Sequence, residues 1–455
     1  MKMQLAEIAK ALKITTKEDW KNVTVTSVSF DTRTLRPGAL FVPLIGENDG
    51  HQFVEKAIAN GAVATLWQSN HQKAAFSFPI LEVNDTLAAL QKLAKYYLNK
   101  INPRVIAVTG SNGKTTTKDM IAAILATSFN VKKTQENFNN QIGVPMTVLN
   151  IEPNTEVLVV EMGMDHFGEL DHLSRLVSPD LAVITMIGEA HIEFFGTRDK
   201  IADAKMEITH GLKEDGILVY NGDEPLLRQR TSKLLQETRT FGGAQDNDYR
   251  ATNVVSNEKQ TGFRVTKWPE LNFTVPMIGS YNVKNALAAL AVGDYFQIPI
   301  EKMATALNNI SVTANRTQWI VGSQGEMILS DVYNSNPTAA KLVLKAFSQA
   351  PTTGKRVVVL GDMLELGSAS PQMHASLAQA IDPQKIAEVF LCGTQVKTLA
   401  AELVDKFSAA QLHLYDLNHQ SQLIADLKNS LKAKDLVMLK GSHGIHLENV
   451  LAALR

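Results

Sequence analysis

Apolar residues along the chain fall into two alternating rhythms. Short unbroken runs such as "RVIAV", "EVLVVE", "LAVITM" and "GILVYN" are separated by longer stretches with apolar residues every three or four positions. Runs of the first kind are strands buried on both faces, which predicts a mostly parallel sheet with helices on each side. Residues 1 to about 100 mix shorter strand-like runs ("VTVTSVSF", "ALFVPL", "AVATLW") with the helical patterns "FVEKAIANGA" and "LAALQKLAKYYL", as in a small α/β unit. The polar, proline-bearing "NKINPR" then marks a boundary. After Arg316 the rhythm restarts with "GEMILSDVY", "RVVVLGDM", "EVFLCG" and "LVMLKGS". The expected fold is α/β in three domains. These are a small α/β N-terminal domain (1–102), a central parallel-sheet domain (103–313) and a C-terminal Rossmann-like domain (314–455).

Length supports this division, because 455 residues exceed what one hydrophobic core serves. Apolar residues make up 45% and charged residues 20%, the profile of an ordinary globular protein. The formal net charge of -1 provides no global field toward nucleic acid or an anionic membrane, so anion recognition has to be local. Cys392 is the only cysteine, which excludes an internal disulfide and a cysteine metal cluster. The N-terminal pattern is interrupted by Glu7 and Lys10 and does not read as a signal peptide. No apolar run reaches the roughly 18 residues that a membrane span needs. A cytoplasmic monomer is expected.

The most informative stretch is "VIAVTGSNGKTTTKDMIAAIL", 105–125: a strand, a glycine turn and an amphipathic helix. Glycines 110 and 113 let the backbone approach an anion while N–H groups at the helix start point toward it. Gly110, Ser111, Asn112, Gly113, Lys114, Thr115 and Thr116 therefore read as a cradle for a phosphate chain, which makes the central region a P-loop mononucleotide-binding domain. Lys114 serves as a point charge and Thr115 as a ligand for Mg2+. Val108 stands where the usual G-x-x-x-x-G-K-[ST] motif has its first glycine, so the loop is a shortened variant.

Ligands of an open parallel sheet collect beyond the carboxyl ends of its strands. Glu161 ends the strand in "VVEMGM", and His191 follows "LAVITM" in "IGEAHIEFFG". Either can hold a metal ion. The segment "RDKIADAKMEITHGLK" reads as a helix with Ile201, Ala204, Ile208 and Leu212 on its buried side. Lys205 lies on that side too. A buried lysine can lose its proton and add carbon dioxide, giving a carbamate suited to magnesium, whereas a snorkelling lysine would not.

With these motifs in view, the chain resembles the Mur ligases of bacterial cell-wall synthesis. Within them it is most similar to the branch that adds D-alanyl-D-alanine to UDP-N-acetylmuramoyl-tripeptide. The matching stretches include "SFDTR", "TGSNGKTTTK", "ENFNNQIGVP", "EMGMDHFGE", "GEAHIEFFG", "IADAKMEI", "YNVKNALAAL", "NRTQW", "SDVYNSNPTA", "GDMLELG" and "LKGS". The resemblance implies that Asn282 and Asn285 meet the adenine side of ATP, with Arg316 and Asp331 reaching it from the third domain. It implies Thr115, Glu161, His191 and a carbamylated Lys205 as magnesium ligands. Ser29, Asp31 and Arg33 would meet the uridine, Asn137 and Asn140 the muramoyl substrate, and Asn334 and Asn336 the incoming dipeptide. The implied chemistry passes through an acyl phosphate. Other Mur ligases, a folylpolyglutamate synthase-like ligase and a nucleotide switch remain alternatives, although a switch would not need His191 and Lys205.

Overall fold

The computed structural model describes residues 1–72, 77–257, 259–311 and 316–455. The expected domain boundary at 313/314 lies outside the described residues. Among the described residues the N-terminal region holds a parallel four-stranded sheet, in the order Ser27–Ser29, Ala39–Phe41, Ala64–Gln68 and Ile80–Val83. Helix Thr86–Ile101 follows, with the Asp85 side chain accepting from the Ala88 N–H as its cap. This helix leans on the central region, where the Tyr97 hydroxyl donates to the Ile151 carbonyl and Gln91 Nε2 to the Gln141 carbonyl.

The central sheet has nine strands among the described residues. Its parallel part runs Tyr249–Ser256, Glu237–Gly242, Ile217–Asn221, Leu181–Ile184, Arg104–Thr109, Val157–Glu161 and Val131–Lys133. The runs read as strands buried on both faces behave that way. Ile106, Val108, Val159 and Val183 pack against α1 (Lys114–Leu125) on one face, while Ala107, Leu158, Val160 and Ile184 pack against α2 (Glu169–Val177) and α3 (Arg198–Met206) on the other. Two features differ from the sequence reading. Thr261–Val265 pairs antiparallel to Tyr249–Ser256 and Trp268–Val275 antiparallel to Thr261–Val265, and Thr261–Val265 shows the alternating burial of a half-covered sheet. The pattern read as one helix over 198–213 stops at Met206 and tightens to a 3-10 turn over Glu207–Gly211. There Gly211 lies so close to the backbone of Ser174 that a Cβ would sit 2.2 Å from it.

Helix α4 (Ser280–Tyr295) covers the α1 face, and its alanines let the two helices approach closely. The C-terminal sheet runs Gln318–Val321, Met327–Asp331, Leu436–Lys440, Arg356–Gly361, Glu388–Cys392 and Leu412–Tyr415, parallel except for its first strand. Helix α5 (Pro337–Gln349) follows its second strand, capped by the Asn336 side chain on the Ala339 N–H. No helix of the described residues is long and apolar enough to cross a membrane.

Candidate active site

Two glycine requirements shape the turn before α1. Gly110 has φ +150° and Gly113 φ +82°, and an added Cβ would lie 1.8 Å from Thr185 Oγ1 at the first and 2.5 Å from Asn285 Oδ1 at the second. Gly113 is the N-cap of α1 and offers no side chain, so the first-turn N–H groups face the turn without a side-chain cap. The Lys114 ammonium folds back to donate to the Gly110 carbonyl at 2.9 Å. Desolvation lowers its pKa, Glu161 opposes this, and Arg316 adds to it.

Glu161, 1% exposed, collects three neighbours at its strand end. Thr115 Oγ1 donates to Oε2 at 2.8 Å, Asn139 Nδ2 donates to Oε1 at 2.9 Å, and Lys118 Nζ stands 3.9 Å from Oε2. His191 has φ +63°, and its Nδ1 stands 2.6 Å from Glu365 Oε2, a contact at ion-pair distance without hydrogen-bond alignment. That contact holds the Glu365 carboxyl below its usual range.

Lys205 is 2% exposed, and among the described residues its Nζ has no hydrogen bond or ion pair. Burial lowers its pKa well below the usual lysine value, and the Lys114 charge lowers it further.

A cavity of about 760 Å³ is lined by Lys114, Glu161, His191, Arg316, Asn334 and Asn140, among others. A second, of about 320 Å³, is lined by Thr116, Asn282, Asn285, Asp331 and Lys440 among others. The two share Asn112, Gly113, Arg316 and Asn334, so they meet at the glycine turn. Lys205 lines neither.

The remaining expected residues separate into groups. Asp331 accepts from Lys440 Nζ at 2.5 Å and from the Thr317 N–H at 3.2 Å, and the Arg316 guanidinium stacks 3.9 Å over the Tyr333 ring. Asn282 Nδ2 donates to the Ile278 carbonyl and Asn285 Nδ2 to Asn282 Oδ1. Asn336 is a helix cap that also bridges two sheets, Nδ2 donating to Asn112 Oδ1 at 2.9 Å. Ser29, Asp31 and Arg33 engage one another in a turn outside both cavities: the Ser29 hydroxyl donates to the Asp31 carbonyl and Arg33 pairs with the Asp31 carboxylate at 2.7 Å. Asn137 is exposed and lines neither cavity.

Sequence reasoning passed over Asn139, two positions from Asn137 in "NFNN", although it is the asparagine that reaches Glu161. It also passed over Lys440 inside "LKGS", and over Glu189, whose carboxylate accepts from the Thr338 N–H and hydroxyl at 3.1 and 2.9 Å.

Family models match three consecutive stretches. They are "Mur ligase family, catalytic domain" over 24–98, "Mur ligase middle domain" over 108–293 and "Mur ligase, glutamate ligase domain" over 315–443. The chain is 42% identical to the UDP-N-acetylmuramoyl-tripeptide--D-alanyl-D-alanine ligase of Bacillus subtilis, covering 100% of this chain and 98% of that one. It belongs to the Mur ligase family.

The enzyme of the same name from Escherichia coli is 33% identical over 95% of this chain and 94% of its own. Among solved Mur ligases, MurF from Acinetobacter baumannii superposes with a TM-score of 0.88 at 27% identity, covering 100% of this chain and 99% of that one. MurF from Thermotoga maritima, solved in complex with ADP, gives 0.83 at 28% identity over 94% of this chain and 97% of its own. The family resemblance read from the motifs is thus borne out, as are the α/β fold and its three Mur ligase regions.

Proposed function

We propose that this chain joins D-alanyl-D-alanine to UDP-N-acetylmuramoyl-tripeptide at the expense of ATP, giving the nucleotide-linked pentapeptide of peptidoglycan synthesis. The observation that carries the reading is full-length similarity to ligases of that name, together with two cavities that meet at a phosphate-binding turn. Each sheet then brings one reactant: the N-terminal domain the uridine-linked peptide, the central domain ATP, the C-terminal domain the dipeptide.

ATP fits the smaller cavity, its adenine side toward Asn282 and Asn285 and its phosphates at Gly110–Thr116. Arg316 and Asp331 approach from the C-terminal sheet. The peptide carboxylate enters the larger cavity, and one of its oxygens attacks the γ-phosphorus as ADP leaves. Lys114 and the first N–H groups of α1 hold the negative charge on the transferring group. The dipeptide amine, in its deprotonated form, then adds to the acyl phosphate carbonyl, and phosphate leaves as the amide forms. Holding the reactants side by side supplies several kcal/mol of the barrier reduction.

The donor set suits a magnesium ion. The Thr115 hydroxyl and Glu161 carboxylate touch one another, and His191 opens into the same cavity. When bound, the metal supplies Lewis-acid stabilisation of phosphoryl charge. Lys205, a buried amine without a described partner, has the chemistry for carbamylation and would add an anionic oxygen near Lys114. A site in the cytoplasm and a monomeric state complete the reading.

Purified protein incubated with ATP and UDP-N-acetylmuramoyl-tripeptide tests it. Phosphate release that depends on D-alanyl-D-alanine, with a product heavier by the dipeptide residue mass, is expected. Release indifferent to the dipeptide would favour a nucleotide switch and overturn the ligase reading.

A further inference from the structure

Two residues beyond Lys205 lies Glu207, a carboxylate only 9% exposed that the chemistry above does not use. Both of its oxygens lie 2.9 Å from the Gly168 nitrogen, and Oε2 lies 3.3 Å from the Asp171 nitrogen. These are the N-cap and third-position donors of α2. The N-cap residue itself is a glycine at φ +85° with no side chain to offer. Ordinarily a serine or aspartate at the cap satisfies the third-position donor locally. Here Glu207, 36 positions downstream of Asp171, does so.

The capped end of α2 is also a wall of the larger cavity, through Gly163, Met164, Asp165, Phe167 and Gly168. That wall is folded on Glu169, whose Oε2 accepts from the N–H groups of Asp165 and His166 at 2.8 and 3.1 Å. Asn140 and Gln141, on the same cavity, adjoin the N-terminal helix that Gln91 belongs to, so this cavity opens toward the domain assigned to the nucleotide-linked peptide. ATP takes the other.

We infer that Glu207 is a positioning residue for the peptide arm of the nucleotide-linked substrate. It ties the wall formed by 163–168 to the 3-10 turn Glu207–Gly211, so that the surface on which the peptide arm rests keeps its place. A hydrogen-bonded carboxylate at a helix N-terminus is stabilised by the helix dipole as well as by the bonds themselves. A glycine cap leaves the wall free to shift once that carboxylate is gone. The inference rests on the ligase reading.

Glu207→Gln keeps one acceptor and removes the charge. The expected result is a KM for UDP-N-acetylmuramoyl-tripeptide raised about tenfold, with kcat at saturation and the KM for ATP within about twofold of wild type. Amide exchange at Gly168 and Asp171 should accelerate in parallel. Ser174→Ala is the structural comparison, because it cuts the Ser174 hydroxyl bond to the Ile208 carbonyl between the same two elements without touching the cap. It should lower Tm and leave both KM values in place. An unchanged tripeptide KM in Glu207→Gln, an equal rise in both KM values, or the same tripeptide effect from Ser174→Ala would overturn the inference. If Glu207→Gln fails to fold, Glu207→Asp, which keeps the charge but shortens the reach, is read by the same criteria. Wild-type protein that does not use the tripeptide substrate at all sinks the ligase reading instead, and the exchange rates still report whether Glu207 holds the wall.

Discussion

Replacing Lys205 with methionine should stabilise the protein while removing its activity. The Nζ lies in a place 2% exposed, and no described residue offers it a hydrogen bond. An ammonium there is a lone buried charge, costing several kcal/mol even after relaxation, and apolar replacement of buried charge commonly gains ~1–4 kcal/mol. Methionine has nearly the same length and no charge. A gain of about 2–3 kcal/mol moves the Tm of a domain of roughly 200 residues up by about 4–12 °C. The sign of the pH dependence follows from the lowered lysine pKa. Between that lowered value and 10.5 the unfolded chain binds the extra proton, so wild-type stability climbs with pH. The advantage of Lys205→Met is therefore fully present below the folded-state pKa and fades as pH approaches 10.5. Thermal unfolding followed by circular dichroism in carbon dioxide-free buffer, from pH 6 to 10, measures it. Bicarbonate should raise the Tm of wild type but not of the variant, because only the lysine can form a carbamate. Turnover should fall by two orders of magnitude or more, in line with the loss of a charge-stabilising group at a phosphoryl site, about 10²–10³-fold. A variant less stable than wild type at neutral pH, or one that keeps wild-type turnover, would refute the reasoning.

Other expectations follow from the same geometry. Gly113→Ala places a methyl 2.5 Å from Asn285 Oδ1 at a left-handed φ, so nucleotide affinity measured by calorimetry should fall at least about tenfold; unchanged affinity would disprove the close approach. Thr338→Ala removes the hydroxyl bond to the Glu189 carboxylate between the central and C-terminal sheets, a contact of ~1.5–3 kcal/mol. Small-angle scattering should then show a larger radius of gyration, and the KM for the dipeptide should rise; an unchanged profile argues that the contact is incidental. Burial alone would raise the pKa of Asp180, but Lys213, the Val105 N–H and Arg104 outweigh that and hold it below 3.8. Its contribution is present above pH 3.8 and is lost as pH falls through the lowered value. Asp180→Ala should cost about 3 kcal/mol at neutral pH and flatten the acid limb of urea midpoint against pH.

The phosphate turn was legible because its chemistry is local. Gly110, Gly113, Lys114 and Thr115 are consecutive or nearly so, and the φ values that require glycine belong to the turn itself. Lys205 was legible as a buried position because helical spacing put it beside Ile201 and Ile208. Asn139 was not, because three asparagines within four positions have the same composition signal and only the loop's path decides which one turns inward. The strands at 249–275 were missed because they are largely half-exposed, so their few buried positions contrast weakly with the surrounding polar text.

Sequence alone determined the alternation of buried strands and covering helices, and with it a parallel α/β sheet whose carboxyl edge bears a phosphate-binding turn. Periodicity and backbone chemistry act within a few residues of one another, so they survive in one dimension. Only the tertiary structure decided that Thr115 bonds Glu161, that Glu365 stands against His191, that Asn336 reaches Asn112 across two sheets, and that Glu207 caps a helix 39 positions upstream. Those pairings join residues far apart in the chain. Their partners are chosen by how whole sheets pack, and no local pattern records that choice.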